Sequence, residues 1–283
     1  MIPSAFDYVR TVSADQALDV LAEHGDEAKL LAGGHSLLPL MKLRLAAPAV
    51  VVDVGRCSDL AYVRDAGTHL AIGALTRHRD VETSELLRAD VPLLAAATHE
   101  VGDPQVRHRG TIGGSLAHGD PASDLPAVML ALDATFVVRS HRGSREVPAD
   151  EFFVGFLETS LEPDELLEEI RLPKVGGAGW SFQKFNRRAQ DWAIVGVACL
   201  HDPAGLGTRI GLVNMESRPV RAVGAEAAVA EGSTAAEAAS RASDGLEPPD
   251  DLNGSAGYRR HLAEVLVRRS LVEAGRRLTS RGA

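Results

Sequence analysis

The stretch 30-LLAGGHSLLPLMKLRLA-46 interrupts an apolar run with two glycines, a histidine and a serine, and then returns to apolar residues. The residues before Gly33 predict a short strand. Those after Ser36 predict a helix, because their apolar residues recur at helical spacing and Pro39 is tolerated in a first turn. Adjacent glycines allow positive φ and leave room for a ligand against the backbone. The composition therefore indicates a loop whose backbone approaches a bound group.

A second Gly-Gly pair beside a serine occurs at residues 111–115, in the sequence TIGGS. Consecutive N–H groups in such a turn form an anion-binding nest, and a helix that starts after the loop adds a favourable N-terminus. Two such loops would hold the two phosphates of a diphosphate. Neither loop matches GxGxxG or GxxxxGK[ST], and a lone Gly-Gly pair before a helix is more often a tight turn. The loops alone leave both alternatives open.

Composition restricts the class of protein. The 283 residues suffice for two or three domains, and a net charge of −9 argues against a nucleic-acid partner. Apolar stretches stay short of a membrane span and the N-terminus does not resemble a secretory signal, so we expect a cytoplasmic protein without a transmembrane segment. The only cysteines, Cys57 and Cys199, are too few for an iron–sulfur cluster within this chain.

The pattern along the chain predicts three parts. Residues 1–55 read α-β-loop-α-β, with a first helix capped by Ser13, a capping box completed by Gln16, and an end at Gly25. Residues 56–175 read as mixed α+β, with a glycine-rich loop over 107–124 and a hairpin over 135–149. Residues 176–283 read as a β pair, 193–202 and 208–216, and three helices.

Several motifs, in the same order, resemble the FAD-binding medium subunit of the molybdenum hydroxylases, the family of xanthine dehydrogenase and aerobic carbon monoxide dehydrogenase. They are AGGHSLLPLMKLRL, GDPQVRHRGTIGGSLAHGDPASDLPA, TSLEPDELLEEIRLP and FQKFNRRAQDWAIVGVA. The resemblance covers most of the chain and thins after about residue 213. It implies an α+β, PCMH-type (vanillyl-alcohol-oxidase-like) FAD-binding fold. Two α/β subdomains, 1–55 and 56–175, would hold FAD and precede a C-terminal α+β domain, 176–283.

The resemblance also implies which residues bind FAD, and it assigns no catalytic residue because the flavin itself is the redox centre. The diphosphate would lie between two groups of residues: Lys29, Ala32, Gly33, Gly34, His35, Ser36 and Leu37 on one side, and Thr111, Ile112, Gly113, Gly114 and Ser115 on the other. Asp124 would contact the adenosine part, and Val101 and Leu167 would supply apolar contacts. Lys184 would lie near the flavin, where a cation favours the anionic reduced form. Trp192 would lie at the isoalloxazine face, where relatives often carry Tyr or Phe.

Taken singly, these residues have simpler interpretations. Lys184 alone would be a solvated strand residue, Trp192 a core residue and Asp124 a helix N-cap. His99, Asp103 and His108 lie close in sequence but fit no standard metal-ligand spacing, so we predict no metal site. The segment VNMES, residues 213–217, departs from the family, whose members carry a glycine-rich run there. We expect this change to affect the C-terminal surface and the docking partner.

The function that the resemblance implies is electron transfer. The FAD would take electrons from two [2Fe–2S] clusters on a small subunit and pass them to NAD⁺, a quinone, oxygen or another acceptor. A molybdopterin-binding large subunit would oxidise the substrate, in an (αβγ)2 assembly. One alternative is a stand-alone FAD-dependent oxidoreductase of a biosynthetic pathway, derived from this subunit. A binding protein with a decayed FAD site is the other, and the intact loops argue against it.

Overall fold

The computed structural model describes residues 2–281, with only the backbone described for Arg281. The strands are β1 Asp7–Arg10, β2 Ala28–Leu31, β3 Val50–Asp53, β4 Val63–Asp65, β5 His69–Gly73, β6 Thr135–Ser140, β7 Gly143–Pro148, β8 Phe153–Gly155, β9 Glu158–Thr159, β10 Leu166–Pro173, β11 Gly179–Phe185, β12 Val195–Asp202, β13 Gly207–Val213 and β14 Val220–Arg221. The helices are α1 Ala14–His24, α2 Leu37–Lys42, α3 His78–Thr83, α4 Glu85–Asp90, α5 Pro92–His99, α6 Pro104–Arg109, α7 Ile112–His118, α8 Asp124–Ala131, α9 Ala149–Phe152, α10 Val223–Ala230, α11 Ala235–Ala239 and α12 Ala256–Arg281.

The N-terminal sheet is parallel, in the order β1-β3-β2. Strand β1 is absent from the sequence prediction, so the element order is β-α-β-α-β. Ser13 caps α1 as predicted, since its side chain accepts from the Gln16 N–H at 3.3 Å, and Gly25 (φ 50°) ends the helix. The predicted capping box is wrong, because the Gln16 side chain accepts from the N–H of Val12 rather than from that of Ser13.

The second sheet is antiparallel, in the order β4-β5-β10-β6-β7, and includes the predicted hairpin β6–β7. Helices α5 and α8 are apolar on almost every side and share the core of this sheet. Phe136, Phe152 and Phe153 pack there with ring centroids 4.3 to 6.0 Å apart. This core supports the segment 100–124, which carries much of the site described below.

The glycine-rich loop predicted over 107–124 is wrong over much of its length. Its residues form α6 and α7, and Thr111 is the N-cap of α7, with its hydroxyl accepting from the Gly114 N–H at 3.1 Å. Gly113 and Gly114 are therefore helical rather than part of a left-handed turn. A Cβ on Gly113 would lie 2.6 Å from the carbonyl oxygen of Ala74, so glycine is required there because α7 starts directly against the end of β5.

The C-terminal sheet is antiparallel, in the order β11-β12-β13-β14, and includes the predicted pair β12–β13. The long helix α12 packs across β11 and β12, and its apolar residues Leu262, Leu266 and Val267 join their core. Arg259 of α12 is fully buried, forms an ion pair with Asp251 at 2.8 Å and donates to the carbonyl of Ile194. The end of β11 and the segment before β12 thus reach the site on a rigid support.

Candidate functional site

A cavity of about 720 Å³ is lined by residues of the N-terminal, second and C-terminal sheets and of the short β8–β9 pair. Its size is typical of pockets for small molecules and cofactors, roughly 300–1,000 Å³. Sixteen of the seventeen residues predicted to bind FAD line it. They are Lys29, Ala32, Gly33, Gly34, His35, Ser36, Leu37, Val101, Thr111, Gly113, Gly114, Ser115, Asp124, Leu167, Lys184 and Trp192. The seventeenth, Ile112, is fully buried in the core of the second sheet and donates its N–H to the carbonyl of Thr76 at 3.0 Å.

The first glycine loop, residues 32–36, packs against the junction between α6 and α7. A Cβ on Gly33 would lie 2.5 Å from the carbonyl oxygen of Arg109 and 2.7 Å from the Cα of Gly110. Gly34 adopts φ 78°, in the left-handed region that favours glycine. The composition of this loop predicts that its Gly-Gly pair lets a ligand approach the backbone. In the structure, glycine is required at position 33 for a different reason. Its backbone packs directly against Arg109 and Gly110, where the first glycine loop meets the α6–α7 junction.

A buried ion pair lies in the cavity wall. The Lys184 ammonium is 2.8 Å from Oδ2 of Asp124, and the side chains are only 6% and 7% exposed. Lys184 also donates to the carbonyl of Glu100 at 3.1 Å. Lys184 is therefore not a solvated strand residue. Asp124 is not an N-cap either, since it is the first residue of α8 and Ser123 precedes it.

The carboxyl of Asp124 has an unused hydrogen-bond acceptor. Its Oδ1 is buried and has no hydrogen-bond partner among residues 2–281. Burial raises the pKa of Asp124 to about 6, and the charge of Lys184 limits the increase. Buried polar atoms are almost always hydrogen-bonded, so this oxygen fits a donor from a group bound in the cavity. The cavity wall thus offers a cation, a free acceptor and the backbone of the first glycine pair.

The ion pair bears on the roles that the resemblance implies. Asp124 was assigned to the adenosine part of FAD and Lys184 to the flavin, which are the two ends of the molecule. Because the two side chains contact each other, they cannot also contact opposite ends of an extended cofactor, so the two roles exclude each other. The pair therefore lines one part of the cavity.

Two histidines that sequence reasoning missed also line the cavity, His78 and His118. Burial, together with the nearby His35, Arg107 and Arg77, lowers the pKa of His78 to about 4, and its Nδ1 has no hydrogen-bond partner in the part of the chain that the structure describes. Its imidazole is therefore neutral and offers a nitrogen to the site. A single histidine in the sequence TRHRD carries no signal of such a position.

Trp192 stands at the cavity mouth and is 58% exposed, so it is not a core residue. The next residue, Ala193, accepts from the side-chain amide of Asn214 at 2.9 Å, and the Asn214 N–H donates to the carbonyl of Pro121 at 2.8 Å. Asn214 has φ 60°, a conformation that asparagine tolerates better than most residues. Met215 is fully buried. The expected surface change at VNMES is thus partly an internal one, which ties the Trp192 segment to the segment before α8.

The side chains of His99 and Asp103, which lie close in sequence, have partners of their own. His99 Nδ1 lies 2.8 Å from Oε1 of Glu82, and Oδ1 of Asp103 caps α6 by accepting from the Val106 N–H at 2.8 Å. Within residues 2–281, no group of three or more His, Cys, Asp or Glu side chains is arranged to hold a metal. In the same part of the chain, no helix is long and apolar enough to cross a membrane.

Comparison with known proteins adds to this geometry. The family described as "FAD binding domain in molybdopterin dehydrogenase" matches residues 4–175, and the "CO dehydrogenase flavoprotein C-terminal domain" matches residues 180–274. The carbon monoxide dehydrogenase medium chain of Hydrogenophaga pseudoflava is 41% identical, over 96% of this chain and 97% of the relative. The 6-hydroxypseudooxynicotine dehydrogenase complex subunit alpha of Paenarthrobacter nicotinovorans is 40% identical, over 97% and 96%.

A solved structure agrees with the sequence comparison. Carbon monoxide dehydrogenase from Hydrogenophaga pseudoflava contains a chain that superposes with a TM-score of 0.93, at 43% identity, over 98% of this chain and 99% of that one. The α+β, PCMH-type fold predicted from the sequence is confirmed. FAD is the cofactor, and the chain is the flavoprotein component of an oxidoreductase. It belongs to the family of FAD-binding medium subunits of the molybdenum hydroxylases, of which carbon monoxide dehydrogenase is a member.

Proposed function

We propose that this chain is the electron-transfer subunit of a cytoplasmic molybdenum hydroxylase. It would receive electrons from the [2Fe–2S] clusters of a small partner subunit and deliver them to an external acceptor. A molybdopterin-binding large subunit would oxidise the substrate, in an (αβγ)2 assembly. FAD would lie in the cavity between the proposed units 1–55 and 56–175, next to the proposed C-terminal domain 176–283.

One observation carries this proposal: the chain has an FAD site, but it has no cysteines that could hold an iron–sulfur cluster next to that site. Cys57 and Cys199 are both buried, and burial raises the pKa of each thiol. Cys57 belongs to the core of the first sheet and Cys199 to that of the third, so neither reaches the cavity. An iron–sulfur relay to the FAD would therefore lie on another chain.

The names of the relatives support a function that is independent of the substrate. One relative belongs to a carbon monoxide dehydrogenase and another to a 6-hydroxypseudooxynicotine dehydrogenase, whose substrates share no chemistry. Both nevertheless match this chain at about 40% identity over nearly its whole length. We infer that the substrate is selected on a partner subunit.

The residues of this chain would bind and orient the cofactor. Bound FAD supplies the capacity to accept two electrons and to release them singly or in pairs. Backbone N–H groups of the first glycine loop suit its diphosphate. In the first turn of α7, the N–H groups of residues 112–114 already donate within the chain, so this turn would border the ligand without donating to it. Lys184 would supply a positive charge, and Asp124 Oδ1 would accept a hydrogen bond from the ligand. Trp192 would offer an aromatic face at the cavity mouth.

The test is an elemental analysis of the complex that the tagged chain forms in its own host. We expect about one FAD, one molybdenum and four iron atoms per chain, since two [2Fe–2S] clusters hold four irons. Flavin reduction by the substrate of the complex should be lost when the iron–sulfur subunit is removed. A chain that carries FAD but brings neither iron nor molybdenum with it would favour the stand-alone oxidoreductase. The departure of the VNMES segment from the family gives that alternative little support, because Asn214 is held by hydrogen bonds inside the chain, to the carbonyls of Ala193 and Pro121.

Replacement of Trp192 by alanine is expected to leave FAD bound but to shift its midpoint potential. The indole is exposed at the cavity mouth and contributes little to the packing of the chain, whereas it would shield one face of the ring from water. The measurement is a redox titration of the flavin absorption bands, with Trp192→Phe as the matched control. Identical potentials and flavin spectra in the alanine variant and the unaltered protein would remove the proposed role at the ring.

A further inference from the structure

The turn over residues 100–102 forms part of the cavity wall, and two buried cations hold it from different sides. Val101 and Gly102 line the cavity. The carbonyl of Glu100 accepts from Lys184 at 3.1 Å. The carbonyls of Val101 and Gly102 both accept from Nη1 of Arg107, at 3.1 and 3.4 Å. Three consecutive carbonyls are therefore fixed by two side chains, one of which belongs to the ion pair in the cavity wall.

Arg107 is itself fixed by Glu82 of α3, which lies behind the turn. Nε of Arg107 donates to Oε2 of Glu82 at 2.9 Å, and the side chains are only 9% and 8% exposed. Oε1 of Glu82 contacts Nδ1 of His99 at 2.8 Å and Nη1 of Arg79 at 3.6 Å. Burial would raise the pKa of Glu82, but the His99 hydrogen bond and the Arg107 charge lower it below its ordinary value. Glu82 is therefore an anion that orients the Arg107 guanidinium.

The turn depends on this support. Gly102 adopts φ 52°, and a Cβ there would lie 2.9 Å from the side chain of Val106. Without Arg107, the carbonyls of Val101 and Gly102 lose the donor given above, and the buried carboxylate of Glu82 loses the only buried side chain that is paired with it among the described residues. Such a change leaves groups unpaired that are costly to bury, so the turn is expected to move. Glu100 moves with it, and Glu100 is the second anchor of Lys184.

We propose that Arg107 and Glu82 are positioning residues for FAD. They hold the turn over residues 100–102 so that Lys184 and Asp124 face the ligand, although neither Arg107 nor Glu82 lines the cavity. The inference rests on the proposed cofactor site at the Lys184–Asp124 pair. It extends that site to a second ion pair, which acts through the backbone rather than through contact with FAD.

A double-mutant cycle tests the proposal on FAD affinity, measured by titrating FAD into FAD-depleted protein in the complex that it forms. We expect Arg107→Met to raise the dissociation constant about 10- to 100-fold, the range typical of residues that orient direct ligands. In protein that already carries Lys184→Met, the same change should add no more than about 3-fold, because coupled residues are non-additive. Arg107→Lys should fall in between, since one ammonium cannot replace the guanidinium fork.

The matched control is Arg221→Met, which breaks the Arg221–Glu226 pair (2.5 Å) in the C-terminal sheet, outside the cavity. It should lower the melting temperature yet change the dissociation constant less than about 2-fold. If Arg107→Met does not yield folded protein, Glu82→Gln replaces it in the same cycle. Full additivity with Lys184→Met, or an unchanged dissociation constant, overturns the proposal. The proposal is also overturned if Arg107→Met raises the dissociation constant for FAD while Lys184→Met leaves it unchanged. That result would show that the cofactor site itself was misassigned.

Discussion

Replacement of Gly33 by valine is expected to abolish FAD binding. The new Cβ would lie 2.5 Å from the carbonyl oxygen of Arg109, a distance that packed atoms do not adopt, and the obstacle is backbone that cannot rotate away. The first glycine loop must then separate from the α6–α7 junction. Because residues 33–37 line the cavity, this movement would displace their N–H groups from the proposed diphosphate site. The measurement is the flavin content of the purified protein, from its absorption spectrum.

The control for this variant is Gly177→Val, since a Cβ at Gly177 meets no atom within 4 Å. It should retain the FAD content of the unaltered protein. Gly33→Ala should already lose most of the cofactor, because the clash begins at Cβ and not at the valine methyl groups. Near-stoichiometric FAD in Gly33→Val would show that the two segments do not need to touch.

The first glycine loop was the part of the site most accessible to sequence analysis. Its strand, turn and helix are specified by neighbouring residues, and Gly34 adopts the positive φ that a Gly-Gly pair permits. The second Gly-Gly pair misled the same reasoning, because Gly113 is required by contact with Ala74, a residue 39 positions earlier. No local pattern distinguishes a glycine kept for a turn from one kept for a distant carbonyl.

The partners in the two buried ion pairs could not be predicted from the sequence either. Lys184 and Asp124 are 60 residues apart and Arg107 and Glu82 are 25 apart, so only the tertiary fold brings each pair together. The resemblance identified Lys184 and Asp124 as site residues but not as partners. Arg107 stood in a quoted motif without a role, because a single arginine beside a glycine-rich stretch is usually solvated. Strand β1 was missed for a different reason, since its four residues are mostly exposed and carry no apolar run.

Replacement of Lys184 by methionine is expected to destabilise the FAD-free protein strongly at pH 8 and weakly at pH 5. At pH 8 Asp124 is ionised in the unfolded chain, and the variant must bury its carboxylate without a cation or protonate it. Breaking a buried ion pair in this way costs about 3–5 kcal/mol. At pH 5 the buried Asp124 is mostly protonated, because its pKa is already raised to about 6 and rises further without Lys184. The lost hydrogen bond to Glu100 then leaves a smaller cost, about 1 kcal/mol.

The sign of this pH dependence follows from the two states of Asp124. Its ordinary pKa of 3.8 lies below the value of about 6 in the folded chain, so the neutral form is favoured by folding. The corresponding stability is complete below pH 3.8 and is lost as the pH rises through the folded pKa. Removal of Lys184 moves that loss to higher pH and makes it larger. Urea titrations at pH 5 and pH 8 measure the free energy of unfolding in each case.

The double variant Lys184→Met/Asp124→Asn separates the charge from the packing. Asparagine keeps the size of the side chain and cannot ionise. The difference in the free energy of unfolding between the double variant and Asp124→Asn should therefore be nearly the same at pH 5 and pH 8. Equal destabilisation of Lys184→Met at pH 5 and pH 8 would mean that Asp124 does not depend on Lys184 for its charge. The buried pair would then be a packing contact, and the proposed hydrogen bond from FAD to Asp124 Oδ1 would lose its support.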